Sequence, residues 1–153
     1  MRAVGRPREA ASRETEENWM SRRRQRIMPA SLPAEVAEDN AYSYGVLDGQ
    51  TLHVSGMVAF APDGSYVGIG DAHAQAAQVF QNLAAVVEAA GGTLDDVVST
   101  TTYLAAAEHA AAVGSVRKEY FTGPVPPTST VVVAPMAREQ FLVEVAAIAH
   151  IPD

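Results

Sequence analysis

Residues 124–149 read PVPPTSTVVVAPMAREQFLVEVAAIA, and this stretch decides the fold. Its β-branched and apolar runs predict two strands, 128–134 and 141–149, joined by a turn over residues 135–140. We expect the two strands to form a hairpin that completes the chain. Glu144 is a charged residue in the middle of an otherwise uncharged strand, and an ionised carboxylate that leaves water without a partner is costly. Glu144 is therefore the first candidate for a functional residue.

The residues before this stretch show strand and helix patterns in turn. Two alternating runs, 42–48 and 51–57, flank Asp48-Gly49, a pair typical of a hairpin turn. Residues 71–90 carry apolar side chains at helical spacing, and Asp71 stands where an N-cap is expected. The segments 29–40 and 62–70 are predicted to be loops.

A strand over residues 97–104 and a second amphipathic helix over 107–121 complete the set of elements before the last two strands. The resulting order is ββ, αβ, α, ββ. It predicts an α+β fold with two helices on one face of a mixed sheet. The other face then needs a partner, and a closed homo-oligomer would provide one.

Charge divides the 153 residues into two parts. Eight of the 11 Lys and Arg residues lie in the first 26 positions, whereas from Met28 onward 14 acidic residues stand against 3 basic ones. Residues 1–27 are polar and lack periodicity, so we predict a disordered arm followed by a domain at 28–153. We interpret the basic run 21–26 as a solvated tail. The alternatives are contact with an anionic surface and a natural start at Met28.

Composition argues against several classes of function. The absence of cysteine excludes disulfides, thiolate nucleophiles and Cys-ligated zinc. The histidines at 53, 73, 109 and 150 show no ligand spacing, so no metal site is expected. No transmembrane run or signal peptide is recognisable, which favours the cytoplasm and argues against a membrane partner. The acidic domain should repel a phosphate backbone, so we expect no nucleic-acid partner.

Seven short motifs, in order and spacing, resemble the Rid family, also called YjgF/YER057c/UK114. They span about residues 29–151 and read YSYGV from 42, HVSG from 53, Gln75 with Asn82, EAAG from 88, DVVSTTTYL from 96, PTSTV from 127 and VEVAAIA from 143. The resemblance implies a chorismate-mutase-like (ferredoxin-like) fold. It further implies a homotrimer whose sheets pack into a central barrel, with clefts between subunits that hydrolyse imines without a metal or cofactor.

When the family's site residues are matched to this sequence by position, the resemblance implies that Glu144 activates water and that Tyr42 and Ser55 line the cleft. Tyr42 and Ser55 also have structural interpretations, in which Tyr42 closes a hydrophobic edge and Ser55 satisfies the backbone at a strand end. The family's deaminases carry an arginine that clamps the substrate carboxylate where this chain has Thr128. Thr130 lies on the same strand face as Thr128, and Ser55 lies on the same strand face as His53. If these faces coincide, the hydroxyls and Glu144 form one small polar pocket.

Two functions remain open. The first is a cofactor-independent enamine/imine deaminase or related hydrolase with Glu144 as general base. It would act on small molecules other than the usual 2-imino acids, because the Thr128 hydroxyl cannot replace a fixed cation. The second is a non-catalytic trimer that binds a metabolite or a protein partner. Ribonuclease activity, historically attached to parts of the family, is disfavoured by the acidic domain.

Overall fold

The computed structural model describes residues 24–153, which form a six-stranded mixed sheet with two long helices packed on it. The predicted α+β class is confirmed. Single turns of 3-10 helix, Leu94–Asp96 and Ala107–His109, precede the fourth strand and the last helix. The regular elements in chain order are β1 (Arg24–Ile27), α1 (Ala34–Asp39), β2 (Gly45–Asp48), β3 (Thr51–Met57), α2 (Ala72–Ala89), β4 (Val97–Leu104), α3 (Ala110–Tyr120), β5 (Thr128–Val133) and β6 (Val143–His150).

The strands are ordered β1-β2-β3-β6-β4-β5 across the sheet. β6 lies between β3 and β4 and is antiparallel to both, whereas β5 pairs in parallel with β4 at the edge of the described sheet. The predicted hairpin between the last two strands is therefore wrong, because β4 separates them. Burial explains the order: alternate residues of β6 are buried beneath the helices, whereas β5 is exposed along most of its length. The more apolar strand occupies the centre of the sheet.

β1 comes from the segment that the sequence assigns to a disordered arm. Its residues pair antiparallel with β2, from Arg24 opposite Asp48 to Ile27 opposite Gly45, and Ile27 is buried. The folded domain therefore begins no later than Arg24, four residues before the predicted boundary at Met28. Residues 1–23 lie outside the described residues, so the prediction of an arm remains a prediction for them. The loop predicted over residues 29–40 is also partly wrong, because it contains α1.

The hairpin predicted at Asp48-Gly49 and the first predicted helix are both present. β2 and β3 pair from Gly45 opposite Val54 to Asp48 opposite Thr51, and Gly49 in the connection has φ 62°, a conformation that suits glycine. The Asp71 carboxylate accepts a hydrogen bond from the Ala74 amide at 3.0 Å and caps α2. The buried face of α2 includes Val79, Phe80, Leu83, Val86 and Val87. Burying each of these larger apolar side chains contributes about 1.5–3 kcal/mol.

Arg117 connects α3 to the start of β5. Its guanidinium donates hydrogen bonds to Thr100 Oγ1 at 2.8 Å and to the Pro127 carbonyl at 3.2 Å, and it lies 4.8 Å from the centre of the Phe121 ring. Thr100 in turn donates to the Thr128 carbonyl at 3.2 Å. Burial lowers the pKa of Arg117. These contacts fix the position at which β5 enters the sheet.

The sheet face turned away from α2 and α3, called here the open face, carries mostly small and hydroxyl side chains. No helix within residues 24–153 covers these positions, and Ile148 is 39% exposed. No helix in this part of the chain is long and apolar enough to cross a membrane. Three rows of paired residues cross β5, β4 and β6 on the open face: Thr128, Ser99 and Ile148; Thr130, Thr101 and Ala146; Val132, Tyr103 and Glu144.

Candidate functional site

Glu144 lies on the open face near the start of β6. Its side chain is half-buried, and this burial raises the pKa of its carboxyl group. Within residues 24–153, no lysine or arginine forms an ion pair with it. The carboxyl group lies directly over Gly56, where an added Cβ would overlap its oxygen. The absence of a side chain at Gly56 therefore leaves the room in which Glu144 can be partly buried.

An irregularity in β3 positions Gly56. The register between β3 and β6 shifts between Val54 and Met57, so Ser55 and Gly56 lie in a bulge. Bulges bend a strand and re-aim its side chains, and they are frequent beside functional sites. Here the bulge brings a residue without a side chain against the carboxylate of the neighbouring strand.

A shallow cleft of about 240 Å³ lies beside the Glu144 carboxylate. Most of the side chains that line it are apolar, but backbone groups, the Tyr103 phenol and Glu144 give it a lining that is at least as polar as apolar. The loop after β5 forms one wall. The lining residues are Gly56, Tyr103, Ala134, Pro135, Met136, Ala137, Glu144 and Ala146. A carboxylate and a phenol in such a cleft can exchange protons with a small bound molecule.

Neither Tyr42 nor Ser55 lines this cleft: Ser55 directly precedes Gly56 on β3, and Tyr42 lines a separate surface pocket with Arg26, Glu38, Ala41 and Ser43. The Ser55 hydroxyl donates a hydrogen bond to the Ser43 carbonyl at 2.6 Å, which is the structural role that the sequence left open for it. The Tyr42 ring packs edge to face with Tyr44, their centroids 5.6 Å apart. Burial raises the pKa of the Tyr42 phenol, and the negative charge of Glu144 raises it further.

Thr128 and Thr130 share the open face with Glu144, as the predicted alternation requires, but they do not reach the same cleft. β4 separates them from β6, and their rows end at Ile148 and Ala146 rather than at Glu144. With strands about 4.8 Å apart and residues rising about 3.3 Å, Thr130 lies about 12 Å and Thr128 about 16 Å from Glu144. These residues therefore do not form a single pocket within one chain, and the pocket expected between subunits stays a prediction. The five predicted site residues form two groups, and Thr128 and Thr130 are the distant one.

Sequence reasoning missed Tyr103 and Gly56 as neighbours of Glu144. Tyr103 was missed because the predicted hairpin put β5 next to β6, at the position that β4 occupies, where Tyr103 lies opposite Glu144. Gly56 had a visible signal, since an isolated glycine in a strand often marks a bulge or a close approach. Within residues 24–153, no three His, Asp or Glu side chains are grouped so that they could hold a metal ion.

Fold and cleft together define the class to which the chain belongs, that of small α+β proteins of the Rid type. The family model described as "Endoribonuclease L-PSP" matches residues 33–151. The chain belongs to this family, and the predicted membership of the Rid (YjgF/YER057c/UK114) proteins is confirmed.

Solved structures of Rid proteins are similar over nearly their full length. RidA from the Antarctic bacterium Psychrobacter is 32% identical with a TM-score of 0.74, and the match covers 83% of this chain and 99% of that one. The Rid-family protein YyfA of Yersinia pestis is 28% identical with a TM-score of 0.77, covering 84% and 99%. The YjgF gene product of E. coli is 29% identical with a TM-score of 0.74, covering 82% and 98%.

Proposed function

We propose that this chain is a cofactor-independent hydrolase of the enamine/imine deaminase type, with Glu144 as its general base. The half-buried carboxylate beside a cleft carries the proposal, because burial raises its pKa above the ordinary value of 4.5. A carboxylate with a raised pKa is a stronger proton acceptor near pH 7. Membership of a family that includes a protein named RidA is consistent with this chemistry.

The reaction needs one water and one proton shuttle. The Glu144 carboxylate takes a proton from the water as its oxygen attacks the C=N carbon. The protonated carboxyl group then returns that proton to the nitrogen of the carbinolamine. Glu144 then takes the proton of the carbinolamine hydroxyl group and passes it to the nitrogen as the C–N bond breaks, so that ammonia leaves and the hydroxyl oxygen becomes the carbonyl of the product.

The preferred substrate is an imine or enamine without a carboxylate. Thr128 provides no cation at the position where the deaminases of the family have an arginine, and Glu144 has no ion-pair partner within residues 24–153. A substrate carboxylate 5 Å from an ionised Glu144 would be repelled by about 3 kcal/mol at an effective dielectric constant of 20. A neutral or protonated imine avoids this repulsion.

A site that contains both groups of residues requires a second subunit. Glu144 lies on the open face beside the β3 bulge that contains Ser55, whereas Thr128 and Thr130 lie across β4. The homotrimer that the family resemblance implies would bring β5 of one subunit toward the cleft of another. The uncovered open face supports such an assembly, as do Val131 and Val133 on β5, which are 55% and 53% exposed.

The test compares two kinds of imine formed in place by oxidases. An amine oxidase generates imines without a carboxylate, and an amino-acid oxidase generates 2-iminopropanoate or 2-iminobutanoate. We expect accelerated ammonia release from the first kind, little effect on the second, and a loss of about 100-fold or more in Glu144→Gln. Thr128→Arg should shift activity toward the 2-imino acids. Strong Glu144-dependent turnover of 2-imino acids by the unaltered chain would contradict the proposed preference.

The alternative is a non-catalytic trimer that binds a metabolite or a protein partner, and the absence of the arginine at Thr128 favours it. It would be supported if neither kind of imine showed Glu144-dependent turnover while small imines or amines bound in calorimetry. The nuclease activity in the name of the family model is disfavoured, because 14 acidic residues stand against 5 lysines and arginines within residues 24–153.

A further inference from the structure

Ala41 adopts a backbone conformation that alanine rarely takes, and it directly precedes Tyr42. Its φ is 54°, and no other residue except glycine has a positive φ within residues 24–153. The left-handed conformation costs an alanine about 1–2 kcal/mol. Neighbouring contacts must therefore hold the segment 41–43 in place.

Arg26 of β1 makes most of the side-chain contacts to this segment. Its Nη2 donates a hydrogen bond to the Tyr42 carbonyl at 3.2 Å, and its Nε donates to Ser43 Oγ at 3.1 Å. Its Nη1 lies 3.9 Å from Glu38 Oε1 at the end of α1. The guanidinium thus holds two successive residues of the chain and contacts the helix that precedes them.

Two further hydrogen bonds fix the same segment from other directions. The Tyr42 amide donates to the Ala37 carbonyl at 3.0 Å, and Ser55 binds the Ser43 carbonyl from β3. Tyr42 is consequently tied to β1, to α1 and to the bulge beside Glu144. Among these hydrogen bonds to segment 41–43, those of Arg26 come from a residue that precedes Met28.

Arg24 provides an internal comparison. It lies on the same strand and the same face as Arg26, but its side chain is 73% exposed and reaches Asp48 at 3.8 Å. Ion pairs at such exposed positions contribute little to stability. The two arginines thus have equal charge and similar placement, and they differ in whether they bind the backbone at Tyr42.

We propose that Arg26 is a positioning residue that holds the segment of Tyr42 against the β3 bulge beside Glu144, and that Arg26, which precedes Met28, is therefore part of the functional site. This role rests on the proposed function. A planar guanidinium can serve the carbonyl and the hydroxyl at once, whereas a lysine ammonium is a single point donor on a flexible stem. Arg26→Lys should therefore restore the position of Tyr42 only in part.

The experiment uses the full chain with Arg26→Met, Arg26→Lys and the matched control Arg24→Met. Carbon-13 labelling of tyrosine Cζ gives one ring signal for each tyrosine, and Tyr42→Phe identifies the signal of Tyr42. We expect this signal to shift in Arg26→Met, to shift less in Arg26→Lys, and to stay unchanged in Arg24→Met. Turnover should fall about tenfold or more in Arg26→Met, as is typical when a group in the site is misplaced.

The ring signal needs no substrate, so it separates this inference from the proposed function. An unshifted Tyr42 signal in Arg26→Met, or an equal shift in Arg24→Met, would overturn the positioning role whatever the turnover. Absence of turnover in the unaltered chain would overturn the proposed function, while a Tyr42 shift confined to the Arg26 variants would still support the role of Arg26 in placing the ring.

Discussion

The Glu144 carboxyl group occupies the space that a side chain at position 56 would fill, so the glycine and the carboxylate depend on each other. The glycine leaves room for the carboxyl group on the neighbouring strand, and the carboxyl group fills the space that a side chain would occupy. The sequence identified Glu144 because a charge stood in an apolar strand. It did not identify the partner, because the contact joins β3 and β6, which are far apart along the chain.

Gly56→Ala should therefore disturb the site directly. The new methyl group would displace the Glu144 carboxyl group or the backbone of the bulge, and overpacking of this kind costs about 1–3 kcal/mol. Urea denaturation would measure the loss. Gly114→Ala is the matched control, since a Cβ at Gly114 in α3 meets nothing within 4 Å. That change should raise stability by up to about 1 kcal/mol. Equal effects of the two substitutions would contradict the close contact.

The pKa of Glu144 predicts a specific dependence of stability on pH. Because burial raises the pKa in the folded state, the folded chain holds its proton to a higher pH than the unfolded chain does. Glu144 therefore favours folding less as pH rises from below its ordinary value of 4.5 through its raised value. Relative to the unaltered chain, Glu144→Gln should gain stability from pH 4 to pH 7 in denaturant titrations. A constant difference would contradict the raised pKa.

The elements themselves differ in how far local sequence predicts them. The β2–β3 hairpin, α2 with its Asp71 cap and β4 are where periodicity and turn residues place them. The order of the strands is not encoded locally, because β6 pairs with strands separated from it by α2 and α3. β1 was missed because its alternation is carried by arginines that lie on the exposed sheet edge, leaving Ile27 as its buried residue. The site depends on these long-range pairings and was predicted only as a set of residues.

The attachment of β5 to the sheet should depend on Arg117. Arg117→Met would leave the Pro127 carbonyl and the Thr100 hydroxyl without their donor, at a cost of about 1–3 kcal/mol. Hydrogen exchange of β5 amides should accelerate more than that of β2 amides. The exposed neighbour Lys118 is the control, and Lys118→Met should change neither exchange nor stability appreciably. Unchanged exchange in β5 after Arg117→Met would contradict the anchoring role.

At the scale of the whole molecule, the open face determines the state of assembly. If it is the trimer interface, Ile148→Asp places a charge among Ser99, Thr128 and their counterparts from other subunits and should produce monomers. Sedimentation velocity would measure the change. Ile69→Asp is the control, because Ile69 is 66% exposed in a loop outside the sheet. A monomeric unaltered chain would contradict the proposed assembly and the two-subunit site.

The central position of β6 has a consequence for the order of folding. β6 follows the other described strands along the chain and pairs with β3 and β4 on its two sides, so β3 lacks this neighbour until β6 has been synthesised. Until then β3 and β4 have unpaired inner edges, which are prone to pair with other chains. Contacts of such long sequence separation also slow folding. The sheet can therefore form completely only after β6 has left the ribosome, and a chain shortened before β6 would expose both edges rather than form a smaller domain.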